Sequence, residues 1–452
     1  MSDDAVEMPE VEDASPPRPG IEHRLSRLIQ LDTVSSTVVA RGAAEFEELL
    51  AESWPLVHTK LRKEKLGERG ILFHWGEGTE PLVLMAHFDT VPTGDPARWR
   101  HPPLSGEIAD GTVHGRGAID DKGALVVLLD AVENLLAAGE APARPVIISL
   151  GGDEETYGDA ARTIADELHA RGIRPWLVLD EGGAIIDGPL PGLAHETAVI
   201  GVAEKGVLSV RMSATSAPGH SSTPGRTPSA PERIAKAITR MRKNPFPKRL
   251  DGTTKQLFDA YRPVATTAAG RAVSTLVPRL GPVAARIFAA LGGEPAALVQ
   301  TTVTTTVLAS GDAHNVIPES ANAVLNLRIA PGETIASCLG VLRHAVRDPG
   351  IEFEVIEGHD PSPASRTDSP QWHALAQAVT DAYPGVVVAP YVMLAASDAR
   401  HFHHHTPDAT YRLSPLRMSR AERAALHGID ERVTVDALVR GERFYRHLLM
   451  SA

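Results

Sequence analysis

Four short stretches between residues 81 and 183 each end an apolar or glycine-rich run in a turn that carries His, Asp or Glu. They read P-L-V-L-M-A-H-F-D-T-V-P (81–92), H-G-R-G-A-I-D-D-K-G (114–123), G-G-D-E-E-T-Y-G (151–158) and L-V-L-D-E-G-G (177–183). Carboxylate oxygen and imidazole nitrogen are ligands for hard and borderline divalent cations. Gathered at the ends of buried strands, such groups are rigid, partly desolvated and open to substrate on one side, as a two-metal hydrolase requires. His87 and Asp89 form H-x-D, whose side chains leave a strand end in one direction, so the carboxylate can orient a metal-bound imidazole. The plainer alternative is a capping Asp beside a core His. Asp121 suits the N-cap of a helix starting at 123, whereas Asp120 suits a carboxylate bridging two cations.

Asp153, Glu154 and Glu155 follow one apolar run and Asp180 closes another. Like charges at the ends of buried strands are costly without compensating cations, although a surface acidic loop would account for the triple taken alone. From His87 to Asp120, Asp120 to Glu155 and Glu155 to Asp180 the separations are 33, 35 and 25 residues. Each is about one βαβ step, so each ligand arrives from a different strand of one sheet.

The elements that must carry these turns follow from periodicity. Residues 71–75, 82–87, 146–150 and 176–180 read as strands, 123–138 and 160–171 as helices, and 21–66 as helical. This alternation predicts an α/β fold with a mainly parallel sheet sandwiched by helices, in which ligands bind beyond the carboxyl ends of the strands. After residue 204 the pattern changes. A half-exposed strand at 206–214 is followed by P-G-H-S-S-T-P, a helix at 230–243 and a stretch of poor periodicity to 298. Strands at 301–308 and 323–329, a helix at 335–347 and a strand at 351–356 come next. These pieces predict a smaller α+β domain inserted into the first. The expected division is an acidic disordered tail (1–19), a catalytic domain in two parts (20–204 and 358–452) and the inserted domain (205–357), with 357–370 as the return linker. A helix at 371–383, a strand at 386–389 and a helix at 434–449 complete the larger domain.

Composition narrows the partners. In 452 residues the net charge is −12, which argues against nucleic acid or an anionic membrane surface as a partner. The single Cys338 excludes a disulfide scaffold and thiolate metal binding. No apolar leader is evident and no stretch approaches the roughly 18–20 apolar residues that span a bilayer, so a cytoplasmic location is expected.

Taken together, H-x-D, G-R-G-A-x-D-D-K-G and D-E-E resemble the dinuclear zinc hydrolases that include glutamate carboxypeptidase, carboxypeptidase S, aminoacylase, succinyl-diaminopimelate desuccinylase and acetylornithine deacetylase. The resemblance runs from about residue 20 onward and implies two zinc ions, with Co or Mn able to replace them. It implies that His87 and Asp180 hold one ion, Glu155 and His427 the other, and Asp120 both. His427 lies in L-H-G-I-D-E-R-V. Asp89 would orient His87, Glu154 would be the general base, and the peptide after Asp120 would be cis. A rival imidazole cluster at His401, His403, His404 and His405 is expected to be largely a solvated loop outside the ligand shell. The inserted domain would be a lid and dimerisation domain, lengthened by 244–300. Its His220 would reach a partner subunit's site to stabilise an oxyanion, and its Asn315 and Arg328 would contact substrate, the Arg through a carboxylate.

The segment 393–400 reads M-L-A-A-S-D-A-R, and Ala395–Ala396 stand where relatives carry a glycine-rich turn beside the substrate carboxylate. The implied activity is hydrolysis of an amide bond beside a free carboxylate, as in a metallocarboxypeptidase or dipeptidase, by a homodimer. A deacylase of N-acyl amino acids using the same chemistry is the alternative, and a non-catalytic metal-binding relative a third reading.

Overall fold

The computed structural model describes residues 17–35, 40–156, 158–188 and 195–452. Ten strands form one sheet, and its centre is parallel. Val146–Gly151, Leu82–His87, Leu177–Asp180 and Thr410–Arg412 lie side by side and point one way. The strand Leu82–His87 shows why its sequence is a continuous apolar run. Leu82, Leu84 and Ala86 enter one core, while Val83 and Met85 enter a second core on the opposite face. A strand with two buried faces has no polar side to display. The helix Lys122–Ala138 covers the first face and packs against the last helix, Val435–Ser451, whereas Asp159–Ala170 covers the second through Ile164 and Leu168.

A second sheet has the strand order Thr302–Ser310, Ser320–Ile329, Gly206–Thr215 and Ile351–His359, all antiparallel. Here the strands alternate: Leu208, Val210 and Met212 face an apolar core with Leu325 and Leu327, and their neighbours face outward. Helices Ala230–Met241 and Ile335–Val346 close that core with Ile234, Cys338 and Leu342. A capping box between Ser229 and Glu232 starts the first of them. The two crossings between the sheets are stitched together. Glu204 N donates to Ser362 Oγ (2.9 Å), Ser362 N donates to Glu204 O (3.2 Å), and Ser365 N donates to Val202 O (2.8 Å). Gly206 is required at the crossing, because a Cβ there would lie 2.5 Å from His359 O.

Several expectations need correction. Residues 62–66 are not helical: Arg62–Leu66 pairs antiparallel with Gly70–Trp75 around a turn in which Gly67 has φ +66°. The buried strand Thr197–Glu204, not anticipated, pairs with Val387–Met393. The last strand of the smaller sheet runs on to His359, into the expected linker. Residues 1–16 of the acidic tail lie outside the described residues, but Arg18 is tied down, donating to Ser53 O and Asp130 Oδ1 (both 2.9 Å).

The stretch of poor periodicity contains four helices: Gly252–Ala260, Ala268–Arg279, Gly281–Leu291 and Gly293–Ala297. Their Ala, Gly and Thr content blurs the period, while Asp251 and Thr267 cap the first two through their side chains. These helices do not simply lengthen the smaller unit, because Leu257, Phe258 and Tyr261 enter the core of the larger one. Phe258→Ala should therefore destabilise the protein by about 3–5 kcal/mol in chemical denaturation, as a large-to-small core change does. A surface lid would give a far smaller change.

Candidate metal centre

Strand order brings the chemistry to one edge. His87, Gly151 and Asp180 end three neighbouring parallel strands, so the turns that follow them share the carboxyl side of the sheet. Asp120 reaches the same place from the turn before Lys122–Ala138, through a cis peptide bond to Asp121. His427 comes from the far end of the chain, just past the helix Arg420–Ala425, with its backbone in the left-handed region (φ +56°).

Asp120 lies between two imidazoles: its Oδ1 is 3.0 Å from His87 Nε2 and its Oδ2 is 3.0 Å from His427 Nε2. His427 Nε2 also stands 3.4 Å from Glu155 Oε1. Donor atoms of His87, Asp120 and Glu155 all lie within 4.8 Å of one another, so these three could hold a cation together. Asp180 is buried beside them at the end of the adjoining strand, and its Oδ2 accepts Ala399 N (2.6 Å).

Asp89 organises two of the turns. It approaches His87 Nδ1 at 3.3 Å, and its two oxygens accept Glu154 N (3.2 Å) and Glu155 N (3.1 Å), with Ser35 Oγ adding a third donor at 2.6 Å. Burial opposes charge on His87, but hydrogen bonds to Asp120 and Asp89 outweigh it and hold the imidazole well above its usual pKa. Hydrogen bonds to Asp120 and Glu155 push His427 up to about 10. Burial drives the Glu154 carboxyl well above the carboxylate range, with Asp398, Asp120 and Glu155 adding to it against the pull of His87. Asp121 Oδ1 is buried without a hydrogen-bond partner, and Glu155 Oε1 faces only the His427 imidazole. So many carboxylates in one largely buried site call for cationic partners.

Asp121 holds the N-cap position that the sequence suggests, but its side chain makes no capping bond and its Oδ2 instead accepts His87 N (3.2 Å). Asp153 turns away to receive Ala160 N at the next helix. The histidine cluster is not a solvated loop. His401 and His403 lie in the helix Ala399–His403, exposed His404 and half-buried His405 follow it, and buried His403 meets Ser365 Oγ (3.2 Å) and Arg412 (3.3 Å). His405 instead stacks on His169 and pairs with Asp166.

His220, Asn315 and Arg328 lie on the smaller unit, and none lines the cavity at the metal ligands. His220 and Asn315 are exposed and adjacent: Ser221 N donates to Asn315 O (3.0 Å), and His220 Nδ1 meets Ser222 Oγ at 2.7 Å. Arg328 is half-buried.

Three residues that sequence reasoning passed over hold the Asp120 turn. Buried Glu431 accepts Gly117 N (3.1 Å), Ile119 N (2.8 Å), Asp120 N (3.2 Å) and Arg116 Nη1 (2.6 Å). Lys122 Nζ, also buried, donates to Leu28 O (2.9 Å) and Leu31 O (3.0 Å), fixing the segment that leads to Ser35. The available signal was local: G-R-G-A-x-D-D-K and D-E-R carry more charge than a metal site needs.

The ligands open into a cavity of about 700 Å³ lined by Asp120, Glu154, Glu155, Glu181 and His427. Much of its remaining wall is apolar: Ile186, Val199, Leu257, Leu298, Tyr391 and Met393, with Ala395 and Ala396. Glu294 and Arg423, also in the wall, pair at 3.4 Å.

Glu431→Ala should cost about 3–5 kcal/mol in denaturant unfolding, because Arg116 is left as a buried, uncompensated charge. Bound metal should fall with it, since three backbone N–H groups of the Asp120 turn lose their acceptor. Glu431→Gln, which keeps an acceptor oxygen, should be milder in both measurements.

Comparison with known proteins agrees with this geometry. The model of peptidase family M20/M25/M40 matches residues 83–451. An N-fatty-acyl-amino acid synthase/hydrolase from Xenopus tropicalis is 32% identical over 443 residues, covering 95% of this chain and 85% of that protein. A probable carboxypeptidase S-like protein from Dictyostelium discoideum is 33% identical over 414 residues, covering 90% and 78%. In structure, the metallo-carboxypeptidase Sso-CP2 of Sulfolobus solfataricus superposes with a TM-score of 0.71 at 18% identity, covering 96% of this chain and 99% of that one. Human carnosine dipeptidase 1 superposes with a TM-score of 0.64 at 13% identity, covering 95% and 96%. A family match across this span, with relatives this similar over nearly the whole chain, makes the protein a member of peptidase family M20/M25/M40, a metallopeptidase and amidohydrolase.

Proposed function

We propose that the protein hydrolyses the amide bond of N-acyl amino acids whose acyl group is apolar, using two divalent cations, zinc by preference. The observation that carries this reading is the cavity of about 700 Å³, in which the metal-ligating groups share a wall with Val199, Leu257, Leu298 and Tyr391. Burial of an alkyl chain there contributes about 0.8 kcal/mol per CH₂. The fatty-acyl relative supports the same substrate class. Hydrolysis of small peptides is the second reading, favoured by the carboxypeptidase S-like relative.

The residues fit two cations. Asp120 offers one oxygen to each side, His87 and Asp180 end adjacent strands, and Glu155 Oε1 and His427 Nε2 meet on the other side at 3.4 Å. Nitrogen and oxygen donors of this kind suit zinc, and Co or Mn as substitutes. When bound, the cations supply polarisation of the scissile carbonyl and acidify a water molecule. Glu154, beside the ligands, then accepts a proton from the attacking water and returns it to the amine nitrogen as the C–N bond breaks. Asp89 keeps this base in place through the backbone of residues 154 and 155.

In this reading the enzyme is a homodimer through the smaller unit. Exposed His220 of one subunit completes the neighbour's site by donating to the developing oxyanion, and Asn315 beside it contacts substrate. Half-buried Arg328 pairs with the substrate carboxylate. The support is placement: Arg328 lies in the second sheet, which is joined to the catalytic unit by two stitched crossings, and His220 and Asn315 lie at a separate two-stranded ribbon, Gly219–His220 with Val316–Ile317, on the same unit.

Glu154→Gln should retain bound metal, measured by elemental analysis, and lose turnover by about 10²–10⁴-fold; near-normal turnover would remove Glu154 from the mechanism. Chelation should abolish hydrolysis and added zinc should restore it. On a ladder of N-acyl amino acids, kcat/KM should rise roughly three- to fourfold per methylene until the cavity is full. A flat ladder, with dipeptides preferred, would select the second reading.

A further inference from the structure

Five of the eleven large apolar side chains exposed among the described residues lie within sixteen consecutive positions: Leu276, Leu280, Val283, Ile287 and Leu291. They belong to the successive helices Ala268–Arg279 and Gly281–Leu291, joined at Leu280. In the second helix Val283, Ile287 and Leu291 recur every four residues and form one stripe. Its other side is occupied as well, with Ala284 and Ala285 buried and Phe288 packed on the core. A helix that is apolar on both sides is ordinarily enclosed by protein or lipid.

The charges around the stripe point to the kind of partner. Between Asp259 and Glu294 the chain has no acidic residue and four arginines. Arg262 is paired with Asp259, which leaves Arg271, Arg279 and Arg286 exposed among the apolar side chains. The whole chain carries −12, so this stretch reverses the sign of its surroundings. Exposed Leu, Ile and Val with interspersed Arg is the surface chemistry of an element that lies in a lipid interface. No helix among the described residues is long and apolar enough to cross a membrane, so any such association would be peripheral.

We infer that these two helices form a docking surface for an anionic lipid bilayer. The whole-chain charge argued against such a partner, and the local distribution reverses that expectation. Leu257 before this helical pair, and Glu294, Pro295 and Leu298 after it, line the catalytic cavity. Seating the helices in a leaflet therefore brings the wall of the cavity close to the lipid. Lipid binding stands on the exposed stripe and its charges alone; passage of an acyl substrate from the bilayer into the cavity rests on the proposed function.

Full-length protein would be sedimented with phosphatidylglycerol–phosphatidylcholine vesicles and with phosphatidylcholine vesicles alone. The mixed vesicles should retain it. A variant combining Val283→Ser, Ile287→Ser and Leu291→Ser, and a second combining Arg279→Glu and Arg286→Glu, should each partition roughly tenfold or more weakly. Thermal midpoints and turnover of a soluble short-chain substrate should be unchanged in both, which separates loss of docking from loss of fold or catalysis. Wild-type protein left in the supernatant, equal binding to neutral vesicles, or undiminished binding by the serine variant would each overturn the inference. So would a wild-type dimer that the serine variant alone converts to monomer without any vesicle binding, because the stripe would then be a contact between copies of the chain.

Discussion

The concentration of carboxylates around Asp120 is the constraint on which the rest of the structure depends. Asp120, Asp121, Glu154, Glu155, Asp180 and Glu181 converge where the larger sheet's strands end, and four acids with two histidines are packed closely enough to shift one another's protonation. Where burial strips hydration, such charges repel strongly. Burial raises the Glu154, Asp121 and Glu181 carboxyls well above the carboxylate range, while hydrogen bonds to Asp120 and the neighbouring acids raise His87 and His427. A centre of this kind is poised for metal because the metal relieves an imbalance already built into the fold.

Holding the imbalance requires scaffolding that does no chemistry. Asp89 fastens the 153–155 turn to the His87 strand, and Glu431 with Arg116 fastens the Asp120 turn to the segment that presents His427. Each pairs a buried acid with backbone N–H donors, so a turn is fixed by several bonds to one carboxylate. Glycine makes room where these pieces meet. A Cβ at Gly158, which has φ +61°, would fall 1.9 Å from Asp398 Oδ1, and one at Gly152 would fall 2.3 Å from the Phe88 ring.

The helices between residues 252 and 297 connect the two units in an unexpected way. They interrupt the smaller sheet in sequence, yet Leu257, Phe258 and Tyr261 belong to the larger core and Leu257 and Leu298 to the cavity wall. Substrate space is thus shaped by a segment remote in sequence from every metal ligand. The same segment exposes its own apolar side, so one stretch of chain serves core, cavity and surface together.

Much of the site was legible in the sequence because its grammar is local. A buried parallel strand is a short apolar run, and the polar residue that ends it is conspicuous, so His87, Glu155 and Asp180 could be assigned to separate strands of one sheet from spacing alone. Asp120, expected from a strand of that sheet as well, instead comes from the turn before Lys122–Ala138, preceded by a strand of a separate three-stranded sheet. His427 could not be assigned that way: only resemblance chose it over the 401–405 cluster, and only the fold put its imbalanced partner Asp120 within 3.0 Å. The 62–66 hairpin, the helices from 252 to 297 and the strand Thr197–Glu204 were hidden because their neighbours in space, not their own periodicity, decide their structure. Sequence by itself determined the kind of chemistry and the architecture that presents it, since both rest on residue type and short-range pattern. Tertiary structure decided which acid meets which imidazole, what anchors each turn and how apolar the cavity is, because those depend on contacts between residues up to 315 positions apart.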